Sequence, residues 1–109
     1  MALANGYGKI VTSGSIITGQ NYYIACTREY DGVNTTMKIY IDGKLKVSQA
    51  YSGAPSDAAN DNINIGDGQT SNWYPFYGYI YNVTLYNKAL SSNEIQQNYE
   101  QYKTRFNLA

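Results

Sequence analysis

The sequence predicts an all-β fold: an antiparallel β-sandwich with a short C-terminal α-helix. Three observations predict it. Apolar and polar residues alternate on both sides of an Asp42-Gly43 dipeptide. A second alternating run, FYGYIYNVTLY, sets Tyr77, Tyr79 and Tyr81 at every second position. After Asn87 the apolar spacing changes from strand-like to helical. A series of strands followed by one helix points to sheet-on-sheet packing rather than to a helix-covered sheet.

The chain has 109 residues, which suits a single domain spanning residues 1–109. Hydrophobic residues make up 43% and charged residues only 15%, and 13 residues are Tyr. Tyr and Thr pack well on a half-exposed pleated surface, so this composition favours strands. Eight basic and eight acidic side chains cancel to zero formal charge. Nucleic-acid binding needs a basic stripe to displace counterions, and Lys44 and Lys46 form only a doublet, so that class is excluded. Weak self-repulsion instead favours a homo-oligomer or a larger assembly. No apolar stretch reaches the length of a membrane span. The N-terminal MALANGYGKI lacks the regions of a signal peptide, so export would use another route, or the chain is cut from something larger. The single Cys26 cannot form an internal disulfide or complete a metal set. Its apolar neighbours predict a buried small hydrophobe, with a reactive thiol as the other reading.

The elements follow in order. Tyr7 to Ile17, punctuated by Gly and Ser, reads as one or two short strands. Asn21 to Glu29 is apolar on both alternating faces at its middle, as in a central strand. DGVNT is a turn cluster. TMKIYI alternates Met37, Ile39 and Ile41 with Lys38 and Tyr40. KLKVS alternates again through Leu45 and Val47. Asp-Gly between such runs predicts a two-residue hairpin, because both central residues need positive φ. Residues 52–62 form a polar loop, Asn62 to Gly66 a short strand with Ile63 and Ile65, and DGQTSNWYP a second loop before the aromatic strand. Ser91, three residues before Glu94, predicts a capping box. Ile95, Tyr99, Tyr102 and Phe106 then share a helical stripe, which either docks on the sheet or pairs with another subunit.

Three stretches carry a family resemblance: NYYIACTREYDGVNTTMKIYIDGKLKV, NINIGDG and FYGYIYNVTLYNKALSSNEIQQNY. Their order and spacing resemble the C-terminal portion of laminin-G-like domains of the concanavalin A-like lectin/glucanase superfamily, over about residues 20 to 103. The resemblance implies a jelly roll of two antiparallel sheets that binds glycans or proteins. The strands that normally precede are missing or reduced to residues 5–17. That leaves open edges, completed by subunit association or accepted in a naturally minimal sandwich. In such domains both Ile80 and Val83 point inward, which strict alternation forbids, so a bulge is implied near Tyr81 and Asn82. Phe76, Gly78, Ile80, Val83 and Leu85 then face the core, and Tyr77 and Tyr79 face away.

The chain has no histidine. Related glucanases align carboxylates on one strand, as glycoside hydrolysis requires; no strand here carries such a pair, so no enzyme is expected. Asp57, Asn60, Asp61, Asn62 and Asp67 form an oxygen-rich run in which Asp57, Asp61 and Asp67 could ligate calcium, although the same residues are ordinary turn formers. For sugar binding, Trp73 lies in a polar loop with Asp67, Gln69, Asn72 and Tyr74 around it, and the alternative is a Trp that caps the core. Tyr77, Tyr79 and Tyr81 read as an interface. Asn34 and Asn82 match the glycosylation pattern and are discounted. The expected function is a non-catalytic, lectin-like module of the extracellular space or a virion surface, recognising carbohydrate through the 67–74 loop. The alternative is an assembly protein of a virion or microbial surface; Arg105-Phe106 near the C-terminus is similar to the ending of phage-encoded and microbial surface proteins.

Overall fold

The computed structural model describes residues 2–4, 9–11, 16–55, 65–66 and 75–108. The expected metal ligands Asp57, Asp61 and Asp67 and the expected binding loop from Asp67 to Tyr74 lie outside the described residues. Two compact units divide the chain: Met1–Ser56 with Asn87–Ala109, and Asp57–Tyr86.

In the first unit, β1 (Ala2–Ala4) pairs antiparallel with β2 (Lys9–Val11). The larger sheet contains β3 (Ile24–Tyr30), β4 (Asn34–Ile41) and β5 (Lys44–Ser52), all antiparallel in the order β3-β4-β5. β2 runs close to β4 and β5. Helix α1 (Ser92–Arg105) follows. The second sheet that would close a jelly roll is not present among the described residues. Among the described residues β3 is at the edge of its sheet rather than the expected central strand, and β4 takes the centre.

The core face is set by β4. Met37 and Ile39 are fully buried and Ile41 nearly so, with Tyr22, Val47 and Tyr51 packed against them. Thr35 is also fully buried, and its hydroxyl is satisfied by donating to the Gly53 carbonyl at 2.7 Å. The β3–β4 connection is an Asx turn: one Asp31 carboxylate oxygen accepts from the amides of Asn34 at 2.7 Å and Val33 at 2.8 Å. Those bonds lower the Asp31 pKa. Cys26 faces the core side opposite Ile39 but is exposed, which corrects its expected burial. Neighbouring groups still desolvate its sulfur and raise the thiol pKa, so it remains a poor nucleophile at neutral pH.

The Asp42-Gly43 hairpin has the expected geometry, with φ of 51° and 79°. Asp42 also holds the start of β3: its carboxylate accepts from the Tyr23 amide at 3.0 Å, and its own amide donates to the Tyr23 carbonyl at 2.8 Å. Immediately after the turn the register shifts. Tyr40 pairs with Leu45 but Ile39 pairs with Val47, so Lys46 is an extra residue, a β-bulge. Leu45 and Val47 therefore lie on opposite faces of the sheet, not on one face as simple alternation implies.

The helix matches expectation at its start. Ser91 Oγ accepts from the Glu94 amide at 3.2 Å and Glu94 accepts from the Ser91 amide at 3.0 Å, a complete capping box. Its C-terminus closes with a Schellman pattern. Asn107 takes φ 52°, its amide donates to the Thr104 carbonyl, and the Leu108 amide donates to the Lys103 carbonyl. The apolar stripe docks at home: Ile95 and Tyr99 are buried, Tyr102 meets Tyr23 with ring centroids 5.9 Å apart, and Asn21 donates to the Phe106 carbonyl at 2.8 Å.

The second unit departs most from expectation. Ile65 and Gly66 form a bend, and among the described residues 75–86 contain no strand. The backbone bond from the Phe76 amide to the Gly66 carbonyl, at 2.7 Å, ties the segment down near its start. Tyr77 and Tyr79 are exposed as expected, but Phe76, Ile80, Val83 and Leu85 are 57%, 49%, 47% and 68% exposed, not inward. Alternating residues supply a face but not a hydrogen-bonding partner, and a strand needs both. Without a ladder here, the bulge implied at Tyr81 and Asn82 has nothing to interrupt.

Two glycine substitutions separate backbone strain from crowding. A Cβ on Gly43 would collide with Gln96 and lie 3.2 Å from the Tyr99 ring, whereas one on Gly53 meets nothing within 4 Å. Both sit at positive φ. Each substitution should cost about 1–2 kcal/mol, with Gly43→Ala the costlier because the Gln96 side chain must swing aside and the Tyr99 ring give slightly, read from urea midpoints.

Candidate functional site

The face of β3-β4-β5 opposite the core carries a groove. Direct cross-strand pairing of Thr27 with Lys38 and of Glu29 with Thr36 puts four polar side chains side by side. Tyr40 continues this row, and the register set by the Asp42-Gly43 turn places Leu45 beside it. Residues 89–94, held in place by the capping box, form the opposite wall through Ala89, Leu90, Ser91, Ser92 and Glu94. The half-open groove has a volume of about 400 Å³, within the range of small-ligand sites.

The two carboxylates of the groove differ. Glu94 receives Lys88 Nζ on one oxygen at 2.8 Å and the Ser91 amide on the other at 3.0 Å. The Lys88 hydrogen bond, with the Ser91 amide second, lowers its pKa to about 2. It is a structural anion and a poor proton donor. Glu29 has no such clamp. Among the described residues neither Glu29 nor Lys38 makes an ion pair or a side-chain hydrogen bond, and the hydroxyls of Thr27, Thr36, Tyr40 and Ser92 are equally uncommitted. Tyr40 is only 4% exposed, yet no buried side-chain polar atom lacks a partner among the described residues, so its hydroxyl remains accessible to solvent. The groove thus offers hydroxyl groups, one anion and one cation beside the apolar Leu45, Ala89 and Leu90.

The sequence reading did not single out this groove. Its signal was available in the polar half of the alternation, Thr27 and Glu29 on β3 with Thr36 and Lys38 on β4. The wall formed by residues 89–94 was not readable, because it depends on where the helix docks. Of the expected site residues, Asp67, Gln69, Asn72, Trp73 and Tyr74 lie outside the described residues. Tyr77, Tyr79 and Tyr81 are described and exposed, and the Tyr79 and Tyr81 rings stack at 6.3 Å with 19° between planes. Among the described residues no group of three His, Cys, Asp or Glu converges on a point where a metal could bind, and no helix is long and apolar enough to cross a membrane.

Three-stranded sheet, capped helix and solvent-facing polar groove are the features of the first unit. A laminin G-like family model, described as the concanavalin A-like lectin/glucanases superfamily, matches residues 2–96, through both compact units. The chain belongs to that superfamily. Comparison with curated proteins and with solved structures returned no match.

The groove wall should be acid-sensitive through Glu94. Its folded pKa is depressed from 4.5 to about 2, so its stabilising contribution is complete above pH about 4.5 and is lost as pH falls toward 2. Helical circular dichroism of the wild type should therefore fall over this window more steeply than that of Glu94→Gln. Ser91→Ala, which removes the cap acceptor, should cost about 1 kcal/mol in thermal or urea unfolding.

Proposed function

We propose that this protein is a non-catalytic carbohydrate-binding module built on the concanavalin A-like jelly roll. The observation that carries this reading is the groove. A saccharide presents hydroxyls that both donate and accept, and C–H faces that are apolar. Uncommitted Thr, Tyr and Ser hydroxyls with Glu29 and Lys38 match the first, and Leu45, Ala89 and Leu90 match the second. Membership of the superfamily supports binding of this kind.

The same groove argues against hydrolysis. Glycosidases use two carboxylates, one of which must hold a proton at working pH. Glu94 has both oxygens occupied, one by Lys88 Nζ and one by the Ser91 amide, so neither is free to attack a sugar or to activate water. Glu29 is left as a single carboxylate. In this reading the polar loop carrying Asp67, Gln69, Asn72, Trp73 and Tyr74 is a separate candidate for saccharide contacts, Asp57, Asp61 and Asp67 are candidate calcium ligands, and the module acts at a cell or virion surface.

A saccharide panel followed by titration tests the proposal. Glu29→Gln, which removes the charge, and Lys38→Met, which removes the charged donor, should each weaken binding about 10- to 100-fold, in line with about 1.5–3 kcal/mol for charged hydrogen bonds, with the unfolding midpoint unchanged. Trp73→Ala reports the loop separately. Absence of binding across the panel, or release of reducing sugar, would contradict the reading.

A further inference from the structure

The stretch Pro75 to Tyr86 contains no charged residue. Every large apolar side chain in it is exposed, from 47% at Val83 to 91% at Tyr77. An aromatic side chain can bury about 150–250 Å², so the stretch offers on the order of 900 Å² of coverable surface. Stable interfaces need roughly 800 Å² per partner, and ordinary monomer patches reach only about 300–600 Å². The residues are also strand-prone, rich in Tyr, with Ile, Val and Thr, yet no strand forms among the described residues here.

We infer that residues 76–86 are a self-association surface, and that its occupant is the same stretch of a second copy. Three features favour this partner. An uncharged stretch meets an identical one without like-charge repulsion or desolvation of ions, and the chain as a whole is also formally neutral. Tyr77, Tyr79 and Tyr81 are symmetric about Tyr79. An antiparallel two-fold contact centred there sets Tyr79 against itself and Tyr77 against the partner's Tyr81, twice over, as an isologous interface requires. The Tyr79 and Tyr81 rings already stack at 6.3 Å, so neighbouring tyrosines of the row form one aromatic surface. The dimer would supply the ladder that a single copy's alternation lacks. This inference is independent of the carbohydrate reading.

Light scattering during size-exclusion chromatography should give the mass of a dimer for the wild type. Tyr79→Lys places like charges opposite each other and should raise the dimer dissociation constant at least 100-fold, with the helical circular dichroism retained. Cysteine cross-linking in a Cys26→Ser background gives the register. Tyr79→Cys should form a disulfide-linked dimer readily under mild oxidation, and Tyr81→Cys, which faces residue 77, should form far less. A wild type that stays monomeric at millimolar concentration would overturn the inference, as would a dimer indifferent to Tyr79→Lys or cross-linking of Tyr81→Cys equal to that of Tyr79→Cys. Loss of saccharide binding in Tyr79→Lys from a wild type that is monomeric would assign the surface to ligand stacking instead.

Discussion

One extra residue in β5 determines what each face of the sheet presents. The turn at Asp42-Gly43 starts the β4–β5 ladder in a fixed register, with Ile41 opposite Lys44 and Tyr40 opposite Leu45. Lys46 then bulges, and from Val47 onward β5 presents the opposite parity. A one-residue slip moves an entire side-chain set to the other face. Here it sends Val47 and Tyr51 to the core beside Met37, Ile39 and Ile41, and leaves Leu45 on the other side with Tyr40. The buried face depends on that slip, which also keeps Val47 and Tyr51 off the side that carries the groove.

The groove is open because its polar groups are not spent on one another. Elsewhere the fold consumes its polar side chains: Asp31 closes a turn, Asp42 fastens β3, Thr35 is tied to Gly53, and Glu94 is divided between Lys88 and the helix start. Glu29 and Lys38 on neighbouring strands, like Arg28, Lys44 and Lys46, make no such bond among the described residues. Charged groups presented without internal partners keep their hydrogen-bonding capacity for something outside the chain. The neighbouring Glu94 contributes the opposite: its pairing makes the wall firm and chemically inert.

Features set by local chemistry were legible in the sequence. Asp-Gly requires positive φ, so the β4–β5 hairpin could be placed to the residue, and the Ser91/Glu94 spacing fixed the start of α1. The Met37, Ile39 and Ile41 row was legible because β4 is buried on that face throughout. Features set by a partner elsewhere in the chain were not. Nothing in KLKVS marks Lys46 as surplus, since Leu45 and Val47 fit an unbroken alternation equally well. Residues 76–86 carry a strand's pattern without a strand, because pairing is a property of two segments. The resemblance that implied inward Ile80 and Val83 assumed a complete sandwich around them. The groove lay half in view, its floor given by alternation and its wall only by the docking of α1 through Ile95 and Tyr99.

The account is tested most directly by cross-strand nuclear Overhauser contacts between backbone protons of β4 and β5, which read the register without any substitution. The bulge predicts close contacts for Tyr40 with Leu45 and for Ile39 with Val47. Contacts of Ile39 with Lys46 and of Lys38 with Val47 would show an unbroken ladder, which would reverse the faces of β5 from Val47 onward, take Val47 and Tyr51 out of the core and turn them toward the groove side.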